Sequence, residues 1–201
     1  CIQLLGSQND MATIRLSVWG GNMYPTGIIK KIDNLGRIVL PKEIRRKLKI
    51  RENDELEIFL DSEETILLKK YSTMKDLKKE CILYATILNK ETDFKVMFTD
   101  KDKVTVCKGK NTSLFVGEEI SEKLIDIIEK RMICNVNMAS DIKVLKTGEN
   151  LYPKIIMPLI VDSKSIGSII LFSDDVERVV KDKEYELLKF VASLITTKLE
   201  I

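Results

Sequence analysis

The sequence contains no histidine. That absence removes the imidazole base of Ser-His-Asp and Cys-His nucleophiles and the mixed Cys/His zinc sites. Cysteine is scarce as well. Cys1, Cys81, Cys107 and Cys134 lie far apart with no C-x-x-C pair, a pattern of reduced thiols used as core fillers. A four-cysteine zinc site would need every one of them, the terminal residue included. Long apolar runs are missing too: Ile155 to Val161 and Ile169 to Phe172 are far too short to span a bilayer. No basic stretch leads into an apolar core with a small-residue cleavage site, so export is not expected. Together these absences leave no catalytic residue, metal ligand or cofactor to nominate. They predict a cytoplasmic protein with no membrane partner.

What is present is an ordinary globular composition, 44% apolar and 32% charged over 201 residues. That is enough for one large domain or two small ones. The net charge of +2 says little, but its distribution says more. From Lys30 to Arg51 nine basic residues face only Asp33 and Glu43, whereas from Glu52 to Glu64 seven acidic residues stand with no base. A solvated surface interleaves its signs. Separated signs favour a face for a polyanion backed by an acidic face.

Residues 1–22 show no sustained period and read as an extension outside the fold, with a short strand as the alternative. Residues 26–32 read as a strand, Asp33-Asn34-Leu35-Gly36 as a turn, and 37–40 as a second short strand. Pro41 suits a helix start, and Ile44 and Leu48 share one face while Arg45 and Arg46 turn away. Leu56, Ile58 and Leu60 alternate inward, 61–64 form a polar turn, and Ile66 and Leu68 return inward. Such a β-β-α-β-β unit of about fifty residues buries little by itself. Pairing with a second copy would supply core and remove open edges.

Residues 73–201 form a second block. Leu77, Cys81, Tyr84 and Leu88 recur at helical spacing, as do Ile120, Leu124, Ile127, Ile128 and Arg131. Leu187, Val191, Leu194 and Ile195 mark a closing helix, whose stripe would bundle with that of the first helix across a dimer. Strands are expected at 94–99, 104–107, 152–161 and 165–172. The order suggests an antiparallel sheet with helices on one side. Tyr152 and Phe172 read as core aromatics that could instead line a pocket.

Residues 23–71 resemble the AbrB-type swapped-hairpin regulators. The resemblance is carried by Thr26-Gly27-Ile28-Ile29-Lys30-Lys31-Ile32-Asp33, by Leu35-Gly36-Arg37-Ile38-Val39-Leu40-Pro41, and by Glu43-Ile44-Arg45-Arg46-Lys47-Leu48. It ends on Leu68-Lys69-Lys70-Tyr71. With the block behind it, the chain is similar to members of that group with a C-terminal GAF-like domain. The resemblance implies an α+β chain: a swapped-hairpin β-barrel dimer at 23–72, then a GAF-like sensor or oligomerisation domain at 73–201. It also implies a homodimer or homotetramer that binds double-stranded DNA and regulates sporulation or transition-state genes, with a small molecule at the second domain as modulator. The DNA contacts fall on Lys30, Lys31, Arg37, Arg45 and Arg46. Lys30 stands where the group commonly has arginine, and lysine keeps the charge but loses the two-pronged donor. Arg37 could instead serve Asp33 or Asp54 within the chain. An antitoxin is the alternative function, since such dimers also neutralise toxins through a flexible tail; the strongly periodic block at 73–201 argues against it.

Overall fold

A computed structural model describes residues 25–60, 65–136, 142–148 and 151–199. The extension read at 1–22 and the polar turn read at 61–64 lie outside these residues. By contacts the chain falls into two units, Cys1–Glu52 and Asn53–Ile201.

In the first unit, residues 25–40 run without a strand ladder around a turn at residues 34–36. The two strands expected at 26–32 and 37–40 are therefore not formed within one chain. Ile29, Leu35 and Val39 stand exposed. An extended segment needs a partner ladder to become a strand, and none is at hand in a single copy. Helix α1, Lys42–Lys47, follows Pro41. It ends in a Schellman motif: Ile50 N–H donates to the Arg45 carbonyl at 2.8 Å and Lys49 N–H to the Arg46 carbonyl at 3.3 Å. Lys49 takes the left-handed position with φ 53°, where glycine would be unstrained.

The second unit opens with a hairpin, β1 (Leu56–Leu60) and β2 (Ile66–Lys70), paired antiparallel as Leu56↔Lys70, Ile58↔Leu68 and Leu60↔Ile66. This register puts the expected apolar positions on one face. They are not inward, however: Ile58, Leu60 and Ile66 are 65%, 76% and 65% exposed. Among the described residues no second layer covers this face of the two strands.

A short helix α2 (Thr73–Asp76) leads into α3 (Lys78–Thr92). Then come β3 (Lys95–Thr99), β4 (Val104–Lys108), a 3-10 turn at Ser113–Phe115 and α4 (Glu122–Glu129). The chain continues through β5 (Cys134–Asn135), β6 (Tyr152–Val161), β7 (Lys164–Ser173) and α5 (Asp182–Leu199). The five strands form one antiparallel sheet in the order β4-β3-β7-β6-β5. Asp162 and Ser163 both have positive φ between β6 and β7, the two-residue turn whose twist matches that of the strands. Ser121 caps α4, its hydroxyl accepting from Leu124 N–H at 3.1 Å.

Helices cover both faces of the sheet, not one. Consecutive residues Ile155, Ile156 and Met157 of β6, and Ile169 to Phe172 of β7, are all buried. Such continuous apolar strands need a layer on each side. One core holds Cys81, Ala85 and Leu88 of α3 with Leu188, Val191 and Ile195 of α5, against Ile155, Met157 and Leu171. The other holds Leu124, Ile127 and Ile128 of α4 against Ile156, Ile170 and Phe172. The stripe Leu77, Cys81, Leu88, with Tyr84 packed beside it, is thus consumed in its own chain's core and is not free to bundle with a second copy as expected. In the closing helix Leu188, Val191 and Ile195 form the buried stripe, Leu187 only packs against it, and Leu194 is 37% exposed. Phe172 is a core aromatic, edge-on to Phe115 at 6.4 Å, whereas Tyr152 is 40% exposed. Arg131 lies beyond α4 with φ 57°, ending that helix by the same motif that closes α1.

Candidate nucleic-acid interface

The five cations singled out by sequence all belong to the first unit and all are exposed. Lys30 and Lys31 sit on the extended segment before the turn, Arg37 leaves the turn, and Arg45 and Arg46 lie in the last turn of α1. Among the described residues, Lys30, Lys31, Arg45 and Arg46 make no ion pair. Cations left in water with no internal partner have no ion pair to break when they turn to a phosphate.

Arg37 is held differently. Asp33 Oδ1 accepts from Leu35 N–H at 2.9 Å and from Arg37 N–H at 2.8 Å, and Oδ2 accepts from Arg37 Nε at 2.8 Å. Gly36 N–H closes the turn on the Asp33 carbonyl at 3.0 Å, with Gly36 at φ +74°, a conformation that favours glycine. The backbone N–H of Arg37, and then its guanidinium, hold the Asp33 carboxyl below its ordinary range. The intramolecular partner weighed for Arg37 is therefore Asp33. This does not take Arg37 out of play: its side chain stays 70% exposed, and the pair uses Nε alone. One carboxylate staples the turn and aims the arginine, where the sequence offered turn chemistry and, separately, a pairing of Arg37 with Asp33 or Asp54.

The acidic run behind the basic one is not a solvent-facing surface throughout. Asp54 is 4% exposed at its side chain and Oδ2 lies 2.9 Å from Lys70 Nζ; Lys70 also reaches Asp102 Oδ2 at 2.6 Å. Lys154, fully buried on β6, donates to the Val176 carbonyl. Sequence reasoning reached neither arrangement. A lysine in a strand carries no local sign of burial, and the partners of Lys70 lie on both sides of it, the farther 32 residues on.

Among the described residues no group of His, Cys, Asp or Glu is arranged to hold a metal ion, and no helix is long and apolar enough to cross a membrane. Burial pushes the Cys81 thiol up to about 12 and the Cys107 thiol up to about 11. Thiols so disfavoured as thiolates are poor nucleophiles, in line with core filling.

A small basic unit with exposed arginines is followed in the chain by an antiparallel sheet with a core on each face. Residues 74–200 match the family described as stage V sporulation protein T C-terminal, transcription factor, and residues 29–76 match that described as antidote-toxin recognition MazE, bacterial antitoxin. Stage V sporulation protein T of Bacillus subtilis (strain 168) is 31% identical over 179 residues, 89% of this chain and 99% of that one. The transition state regulatory protein AbrB of the same organism is 57% identical over 49 residues, 24% of this chain and half of AbrB. Among solved structures, the Thermosynechococcus elongatus PixJ GAF domain covers 64% of this chain and 89% of its own, with 12% identity and a TM-score of 0.51. That likeness gives the C-terminal fold as GAF-like. The chain belongs to the stage V sporulation protein T family of transcription factors.

Proposed function

We propose that this protein is a homo-oligomeric regulator of sporulation or transition-state genes. Residues 23–72 read double-stranded DNA and residues 73–201 act as sensor and oligomerisation domain. Lys30, Lys31, Arg37, Arg45 and Arg46 contact the duplex. The observation that carries this is the first unit itself: a stapled turn aiming Arg37, and a capped helix presenting Arg45 and Arg46, all in water. Arginine forks suit guanine edges, while Lys30 and Lys31 suit phosphates. The exposed apolar faces of residues 28–39 and of the β1–β2 hairpin support strand exchange with a second copy, which would complete a barrel. Kinship with transcription factors supports regulation over catalysis and a cytoplasmic, DNA-associated place. The GAF-like sheet is consistent with a small-molecule modulator of unknown identity.

The match of residues 29–76 to MazE favours a second reading, toxin neutralisation. That role works through a flexible tail, and the segment behind residue 72 here is a packed sheet with its own cores. A genomic neighbour encoding a toxin would favour the second reading. Recovery of discrete bound sites in a genome-wide footprint of the full chain tests the first; binding spread evenly over the genome would count against sequence-directed regulation.

A further inference from the structure

The foot of the β1–β2 hairpin is set in a charged junction. Lys70 Nζ lies between Asp54 Oδ2 at 2.9 Å and Asp102 Oδ2 at 2.6 Å, with side-chain exposures of 20%, 4% and 14%. Lys101 Nζ stands 4.0 Å from the other oxygen of Asp54. Ser72 Oγ donates to Asp100 Oδ2 at 3.2 Å, and Asp100 Oδ1 accepts from the N–H groups of Asp102 and Lys103 at 2.8 and 2.7 Å. Lys164, at the start of β7, donates to Glu55 Oε1 at 2.9 Å. Tyr71 N–H closes on the Glu55 carbonyl at 2.9 Å, so both ends of the hairpin are tied at one level.

Two turns of the GAF-like sheet thus grip one hairpin. The β3–β4 turn supplies Asp100, Lys101 and Asp102, and the β6–β7 turn supplies Lys164. The ion pairs differ in weight. The Lys164–Glu55 pair is mostly exposed and worth little. The Asp54–Lys70–Asp102 group is largely out of water, and Asp102 is the member through which Lys70 of the hairpin is tied to the β3–β4 turn by a charge-assisted hydrogen bond.

We infer that this junction makes the hairpin a rigid outgrowth of the C-terminal sheet, so that a change in the sheet reaches the DNA-reading unit through β1 and β2 as well as through α2 and α3. The inference rests on the reading of residues 23–72 as the DNA reader. It assigns a role to the acidic run that follows the basic one: Asp54 and Glu55 are docking groups for the C-terminal domain. A sheet of this kind can bias the reader only through a connection that does not absorb its motion. Both of these turns grow from strands β3 and β7, which pair with each other at the centre of the sheet.

The test is hydrogen–deuterium exchange on the full chain, comparing the parent with Asp102→Asn, Lys164→Glu, Glu55→Lys and the Glu55→Lys/Lys164→Glu double variant. Asp102→Asn keeps the shape and removes the charge. It should speed exchange of the amides at 56–60 and 66–70 about tenfold, with the amides of α4 unchanged as the control for folding. Lys164→Glu and Glu55→Lys should each speed the same amides about twofold, and the double variant should recover the parent rate. Unchanged hairpin exchange in Asp102→Asn would overturn the inference, whatever the DNA affinity. Affinity for duplex DNA is measured on the same samples: failure of the parent to bind DNA would sink the reading of function while leaving the junction to stand on exchange alone.

Discussion

Gly167→Ala should damage this fold severely. Gly167 lies in β7 beside the end of β3. A Cβ there would sit 2.0 Å from the Thr99 carbonyl oxygen, 3.0 Å from its carbon and 3.2 Å from Asp100 Cα. A carbon–oxygen contact relaxes near about 3.3 Å. The obstacle is backbone, so the end of β3 would have to retreat by more than about 1 Å. It has nowhere to go, because Phe98 and Thr99 are fully buried and both faces of the sheet are covered. The retreat would break the Thr99↔Ser168 pairing and the 2.8 Å contact between their hydroxyls. Overpacking ordinarily costs 1–3 kcal/mol, and a clash with fixed backbone belongs at the upper end, about 3 kcal/mol. For a domain of this size that lowers the melting temperature by about 6–12 °C. Calorimetry on the full chain reads it directly. A melting temperature within about 2 °C of the parent would mean that the sheet has slack where the account gives it none.

Other outcomes follow from the same geometry. Lys49→Gly relieves a left-handed residue at the end of α1 and should stabilise the first unit by up to about 1 kcal/mol, read from denaturant midpoints. Ser121→Ala removes the cap of α4 and should cost about 1–2 kcal/mol in the same assay, since the hydroxyl also donates to the Lys143 carbonyl. Cys81 and Cys107 should resist alkylation at pH 8 in the folded chain and react only as it unfolds. Because their folded pKa values are raised, the stability they contribute is present below the unfolded thiol value and lost as pH rises beyond it, so melting should fall above about pH 9. The Asp33 carboxyl has a lowered pKa, so the staple on Arg37 persists at neutral pH and is lost only as pH falls through that lowered value; the Arg37 Nε resonance in a pH titration would follow it.

The sequence disclosed what local chemistry decides. The turn at Asp33 to Gly36, the helix after Pro41, and the strand at residues 152–161 with the short break before 165–172 were all legible, because turn residues and apolar periods are local signals. The side of the sheet taken by each helix was not. An unbroken apolar strand such as Ile155 to Leu159 announces two buried faces, yet the order of elements alone had put every helix on one. The alternation of Leu56, Ile58 and Leu60 was legible as a shared face, but no local signal says what covers it, and among the described residues Ile58 and Leu60 stand exposed. Of the site, the exposed arginines followed from motif and charge. The role of Asp33 as a staple was only half visible, and the Asp54–Lys70–Asp102 group was hidden, because Asp102 meets Lys70 through tertiary folding.

The central claim is that the first unit reads DNA through Arg37, Arg45 and Arg46. The most direct measurement is the affinity of the full chain for a duplex recovered from the footprint and for a random duplex, as a function of salt, in the parent and in Arg37→Ala, Arg45→Ala, Arg46→Ala and Lys49→Ala. The account predicts that each arginine loss costs about 1–3 kcal/mol on the recovered duplex and much less on the random one. Lys49→Ala should weaken both equally and lower the salt slope by about one unit at most, and only if Lys49 touches phosphate. Equal losses for all four variants on both duplexes would contradict it, leaving only unspecific attraction between a basic surface and a polyanion.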